Sequence, residues 1–181
     1  MAKVSRADDR KFRELILYVA RKSESDPGFG ATKLNKILFF CDFLAYRAFG
    51  ESITGHRYQK LEHGPAPRAL KPILKKMEKA GECVFVERDH FGYPQTRIVA
   101  RREPDFSLFS AKEIDLIGSV IEELRDSNAT QVSELSHQFI GWQVARMKED
   151  IPYSTVFLGT PRPLTQEEIE YGQQLARELG V

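Results

Sequence analysis

The 181 residues lack most of the features that assign a function quickly. Cysteine occurs twice, at Cys41 and Cys83, with no partner spacing and no Cys-x-x-Cys pair. That leaves no basis for a disulfide framework or a thiolate metal site, and two buried free thiols are expected. The histidines are His56, His63, His90 and His137, and no two are spaced to place a pair of ligands on one helix face or strand turn. No metal or other cofactor is therefore expected. No apolar run approaches the ~20 residues of a membrane span, and residues 1–13 are charged where a signal peptide would be apolar. A surplus of charge is missing too. The 27 Lys and Arg stand against 26 Asp and Glu, and the net +1 excludes a disordered polyelectrolyte. It gives no ground for nucleic-acid binding on net charge alone. The expectation is a soluble, cytoplasmic protein with no membrane partner.

With 41% hydrophobic and 29% charged residues, the chain can bury a core and is read as a single domain over residues 1–181. The balanced charge is unevenly spread: residues 1–54 sum to +3, residues 55–102 to +6 and residues 103–181 to −8. A basic middle beside an acidic C-terminal third suggests a face meant for a charged partner.

Apolar spacing predicts a first helix on Phe12, Leu15, Ile16, Val19 and Ala20, with Arg10, Lys11, Arg13 and Glu14 on its polar side. Thr32 is the expected N-cap of a second helix ending near Gly50. Apolar on nearly every side, this helix is the expected spine of the fold, with Leu38 and Phe40 in its core. A short strand over 56–62 leads into a stiff turn, His63-Gly64-Pro65-Ala66-Pro67. A third helix carries Leu70, Ile73, Leu74 and Met77 and ends at Gly81, with Pro72 as a kink or the mark of a later start. Runs at 83–88 and 95–100 read as a hairpin with a longer loop. Capping boxes at Ser110–Glu113 and Thr165–Glu168, and an N-cap at Asn128 or Thr130, start the later helices, the last over 164–179 after Pro161 and Pro163. The fold class is α+β: mainly α-helical, with a small antiparallel sheet made of a strand and a β-hairpin.

Chemistry is harder to find. Gly28 to Lys33 resembles a phosphate loop in composition, but its spacing is wrong and no strand precedes it. No nucleophile elbow occurs, and the carboxylates read as scattered over exposed helix faces. An enzyme is not expected. The strongest polar pattern is a stripe on the third helix, Arg68, Lys71, Lys75 and Lys79, at spacings of three, four and four. A hairpin carrying Arg88, Arg97, Arg101 and Arg102 follows it. A basic helix followed by a wing is how winged-helix regulators meet DNA, and this is the alternative function. The stripe has no Asn or Gln for reading bases, which favours an acidic protein partner or plain solvated surface.

Three local motifs occur in order. Lys33-Leu34-Asn35-Lys36-Ile37-Leu38-Phe39-Phe40-Cys41-Asp42 opens the apolar helix, His63-Gly64-Pro65 follows the strand, and Trp142 with Ile151-Pro152-Tyr153 closes the late helices. Together, from about residue 12 to residue 153 or slightly beyond (12–160 at most), they resemble the Panacea domain of the SocA-like, phage-associated antitoxin family. The resemblance implies a non-enzymatic antitoxin that neutralises a cognate toxin, usually encoded next door, by direct protein contact. A protease machinery is a further partner under this reading, and DNA the less favoured one. Candidate partner-binding residues are Lys33, Lys36, His63, Gly64, Pro65, Arg68, Lys71, Lys75 and Lys79. Trp142 and Tyr153 are expected to pack in the core.

Overall fold

The computed structural model describes residues 7–90, 92–159 and 165–179. Among them the chain forms seven α-helices and two small antiparallel sheets, an α+β architecture.

Helix α1 (Asp9–Lys22) starts where the Asp8 side chain accepts the Lys11 N–H, supplying one of the partners a helix N-terminus lacks. Helix α2 (Ala31–Phe49) ends at Gly50, whose φ of +78° is the left-handed cap that glycine adopts without steric cost. Its N-cap is Gly30, not Thr32. The aromatic and aliphatic side chains all round α2 are divided between two apolar clusters. One joins Leu34, Ile37, Leu38 and Cys41 to α1 and to Ile73, Met77, Ile117 and Ile121 from later in the chain; the other gathers Phe39, Phe43 and Tyr46 with Tyr58, Ile151 and Tyr153. This two-sided burial makes α2 the spine, as its composition predicts. Phe40 is only half-buried, and Phe39 and Phe43 take the enclosed positions instead.

The expected stiff turn after the first strand is itself a strand. Strand β1 (Tyr58–Leu61) pairs with β2 (Gly64–Pro67), and β5 (Asp150–Ile151) adds on the other side, in the order β2-β1-β5. Pro65 and Pro67 are compatible with pairing because β2 is an edge strand, where missing N–H groups leave no second neighbour unpaired. Helix α3 (Leu70–Lys79) begins late enough that Pro72 falls in its first turn, where backbone N–H groups have no intrahelical acceptor. Strands β3 (Cys83–His90) and β4 (Tyr93–Ala100) run further than expected, pairing Asp89 with Pro94 and His90 with Tyr93. The hairpin end is tight because Gly92 takes φ +83° and donates its N–H to the Asp89 carboxylate.

Helices α4 (Ala111–Leu124) and α5 (Ala129–His137) carry capping boxes at Ser110–Glu113 and Asn128–Gln131. They pack on α2, followed by the short α6 (Ile140–Val144). Helix α7 (Gln166–Leu179) leaves Ile169, Tyr171 and Leu175 exposed. Pro161, Pro163 and the side chain of Glu168, expected to precede and cap it, lie outside the described residues. No described helix is long and apolar enough to cross a membrane.

Candidate functional site

Three polar residues of the α2 motif, Lys33, Lys36 and Asp42, are buried, and each fastens a different segment to the spine. Nine residues are about two and a half helical turns, so the first and last of them face opposite sides. Lys33 and Lys36, both candidate partner-binding residues by sequence, are enclosed, at 1% and 2% exposure.

Lys33 is fully satisfied. Its Nζ donates to Asp26 Oδ2 at 2.5 Å and to the carbonyls of Arg125 and Ser127 at 2.7 and 2.8 Å. An ammonium has three protons, and each has an acceptor. The lysine thus locks the loop after α1 to the turn between α4 and α5. Nothing in its local sequence announces this, because its acceptors lie 7, 92 and 94 residues away.

Asp42 is the counterpart on the opposite side. Its Oδ1 accepts the Thr54 N–H at 2.7 Å, and Oδ2 lies 2.6 Å from the Thr54 hydroxyl and 2.8 Å from the Tyr58 hydroxyl. Burial pushes the carboxyl up to about 6, against the opposing pull of these hydrogen bonds. The carboxylates are thus not merely scattered over exposed faces. Asp26 and Asp42 are buried, and so is Glu14, assigned by its spacing to the polar side of α1. Glu14 receives both Arg102 terminal nitrogens at 2.7 Å, and Arg102 also reaches Glu82 at 2.8 Å.

Lys36 has the least complete set of partners. Its Nζ has one hydrogen bond, 3.2 Å to the Pro65 carbonyl, and no carboxylate lies within ion-pair distance of it among the described residues. Burial pushes the ammonium down to about 8. The backbone passes closely here. Gly64 takes φ +101°, and a Cβ at that position would collide with Ser136 Oγ and lie 2.7 Å from Lys36 Nζ. Gly64 and Pro65 therefore have a packing role: one makes room for Lys36, and the other supplies its acceptor. Beside them His137 stacks on Trp142, with ring centroids 4.0 Å apart and planes at 12°. Its Nε2 is buried with no hydrogen-bond partner among the described residues. Burial, reinforced by Lys36, depresses its basicity. His63 is exposed at the β1–β2 turn. A groove of about 520 Å³ runs past Lys36, Asn35, His63, Gly64, Met147 and Lys148. Sequence reasoning missed His137, Ser136 and Lys148, which come from helices and loops distant in the chain.

On the outer surface, Lys71, Lys75 and Lys79 are exposed along α3. Arg68 is exposed as well, but it lies in the turn before α3 rather than on the helix, and it is engaged by Asp150, by Gln59 Oε1 at 2.9 Å and by the Lys148 carbonyl at 2.5 Å. The β3–β4 hairpin does not extend this stripe as a wing would. Arg97 is buried, donating to the carbonyls of Asp26 and Glu24 at 2.9 and 3.0 Å, and Arg102 is held by Glu14 and Glu82. Arg88 and Arg101 remain exposed. Trp142 is half-buried with Nε1 donating to the Leu61 carbonyl, and Tyr153 is buried with its hydroxyl donating to the His56 carbonyl. Both pack as expected.

The family model described as antitoxin SocA-like, Panacea domain, matches residues 34–143. This stretch holds Lys36, Asp42, Gly64, Pro65, His137 and Trp142, and it stops short of Ile151-Pro152-Tyr153. Neither a curated protein nor a solved structure matches the chain.

Proposed function

Because the chain belongs to the SocA-like antitoxin family with a Panacea domain, we propose that it neutralises a cognate toxin protein by direct, stoichiometric contact and catalyses no reaction. The family match carries this reading. The geometry supports it: the buried charges Lys33, Asp42 and Glu14 serve to fasten loops to α2 and α1. A rigid core presenting a charged face is what selective protein binding needs, since complementary charge speeds encounter and rejects wrong partners. The toxin and its antitoxin would meet in the cytoplasm, with a protease machinery as a further partner if the toxin is delivered for degradation.

The partner face in this reading is formed by Lys71, Lys75 and Lys79 of α3 with Arg68 just ahead of the helix, and the toxin surface opposite it is acidic. DNA is the weaker reading, because Arg97 and Arg102 of the supposed wing are turned inward. A double variant, Lys75→Glu with Lys79→Glu, tests both. It leaves Leu70, Ile73, Leu74 and Met77 in place, so stability should change by no more than about 0.5 kcal/mol per site. Association with the product of the neighbouring gene should slow and lose salt dependence, and growth rescue should fall. Unchanged rescue and binding would leave the stripe a solvated surface. Retention of the wild type on duplex DNA, lost in the variant, would favour the regulator instead.

A further inference from the structure

Two lysines three residues apart on α2 are equally buried, yet only one has its charge matched. Lys33 has a carboxylate and two carbonyls; Lys36 has one carbonyl at 3.2 Å. A buried ammonium with no counter-ion is costly, and proteins retain such groups where something else completes them. The space beside Lys36 is not filled by the fold. It is the groove of about 520 Å³, lined by two lysines, Lys36 and Lys148, and by the imidazole of His63, with Glu62 the one carboxylate among its lining residues. His137, whose Nε2 has no described partner, lies close enough to Lys36 and His63 for each to depress its basicity.

The groove also joins the surface already assigned to the partner. Lys148, on its wall, accepts a hydrogen bond through its carbonyl from Arg68, the first residue of the basic stripe, just ahead of α3. Met147, another wall residue, is 55% exposed, and Val144 on α6 is 68% exposed. Apolar side chains beside a cationic recess suit a macromolecular partner better than a lone small anion.

We propose that this groove receives a carboxylate side chain of the toxin, an Asp or Glu, which becomes the counter-ion of Lys36. The inference rests on the antitoxin reading. Lys36 is then the buried end of the interface, and Arg68, Lys71, Lys75 and Lys79 are its solvated part. Gly64 keeps the β1–β2 turn close enough for Lys36 to reach the groove, and any side chain there would close the approach.

Two measurements on the full chain test this. In the first, Lys36→Met removes the charge and keeps an unbranched side chain. A buried charge without a counter-ion costs more in desolvation than its one 3.2 Å hydrogen bond returns, so the melting temperature should hold or rise. Toxin affinity should fall at least tenfold, which is about 1.4 kcal/mol. In the second, wild-type protein is titrated with sodium acetate against sodium chloride of equal ionic strength. The His63 and His137 imidazole resonances should shift saturably with acetate alone, and Lys36→Met should abolish the shift. A Lys36→Met protein that does not fold, or that binds toxin as the wild type does, overturns the proposal. So does an acetate titration without saturation. Saturable acetate binding with unchanged toxin affinity assigns the groove to a small carboxylate and equally refutes the toxin contact. A wild type that binds acetate but no neighbouring gene product sinks the antitoxin reading itself.

Discussion

Asp42→Asn is expected to stabilise the protein at neutral pH, although it removes a charge that accepts several hydrogen bonds. Asp42 is fully buried, and its Oδ2 lies 2.8 Å from the Tyr58 hydroxyl. That hydroxyl is also 2.8 Å from the Leu38 carbonyl, and a phenol has one proton for the two acceptors. Protonating Asp42 resolves the conflict: Oδ2–H donates to Tyr58, and Tyr58 donates to Leu38. The carboxyl, raised by burial from 3.8 to about 6, therefore binds its proton more tightly in the folded than in the unfolded chain. Its contribution to stability is fully present below 3.8 and is lost as pH rises through about 6. At about 1.36 kcal/mol per pKa unit the loss is about 3 kcal/mol. Asparagine stays neutral: its carbonyl accepts the Thr54 N–H, and its amide group donates to Tyr58 and the Thr54 hydroxyl. The difference in unfolding free energy between variant and wild type should be near zero at about pH 4. It should reach as much as about 3 kcal/mol in favour of the variant at pH 7. Urea unfolding of both proteins in parallel across this range isolates Asp42, because the other carboxylates cancel in the difference. A difference that does not vary with pH, or a variant weaker than wild type at pH 7, refutes the reasoning.

Leu38→Ala should cost about 3 kcal/mol or more in denaturant unfolding, since Leu38 is fully enclosed, whereas Phe40→Ala should cost clearly less because Phe40 is half-buried. Equal costs would mean that α2 is not oriented as described. Arg102→Gln should destabilise by about 2 kcal/mol, short of a fully buried pair because the Arg102 side chain is 36% exposed. Burial alone would raise Glu14, but the bonds from Arg102 and from the Asp105 N–H hold it below the usual carboxylate range. Its stabilisation is thus present above the ordinary carboxylate pKa and is lost as pH falls through the lower folded value. The variant's acid unfolding limb should accordingly be shallower, and an unchanged limb would sink this assignment.

What the sequence by itself determined are the features governed by neighbours along the chain. Helices α1 to α5 follow from apolar spacing, and the ends at Gly50 and Gly81 and the start at Ser110–Glu113 from backbone groups within a few residues. The all-round apolarity of α2 likewise required its enclosure. Strand β2 was misread because its two prolines argue for a turn until β1 is known to pair on one side of it only. The two-residue β5 is too short to carry any periodicity, and it exists because β1 has a free edge at Tyr58 and Gln59. The fates of Lys33, Lys36, Asp42 and Glu14 were decided by the tertiary structure alone. A charged side chain is buried when partners converge on it, and those partners arrive from the α1 loop, the α4–α5 turn, β2, β1 with the segment before it, and the segment after β4. A lysine at a helix start reads as solvated from its own surroundings. Only the assembled fold matches Lys33, encloses Lys36 and leaves its charge unanswered.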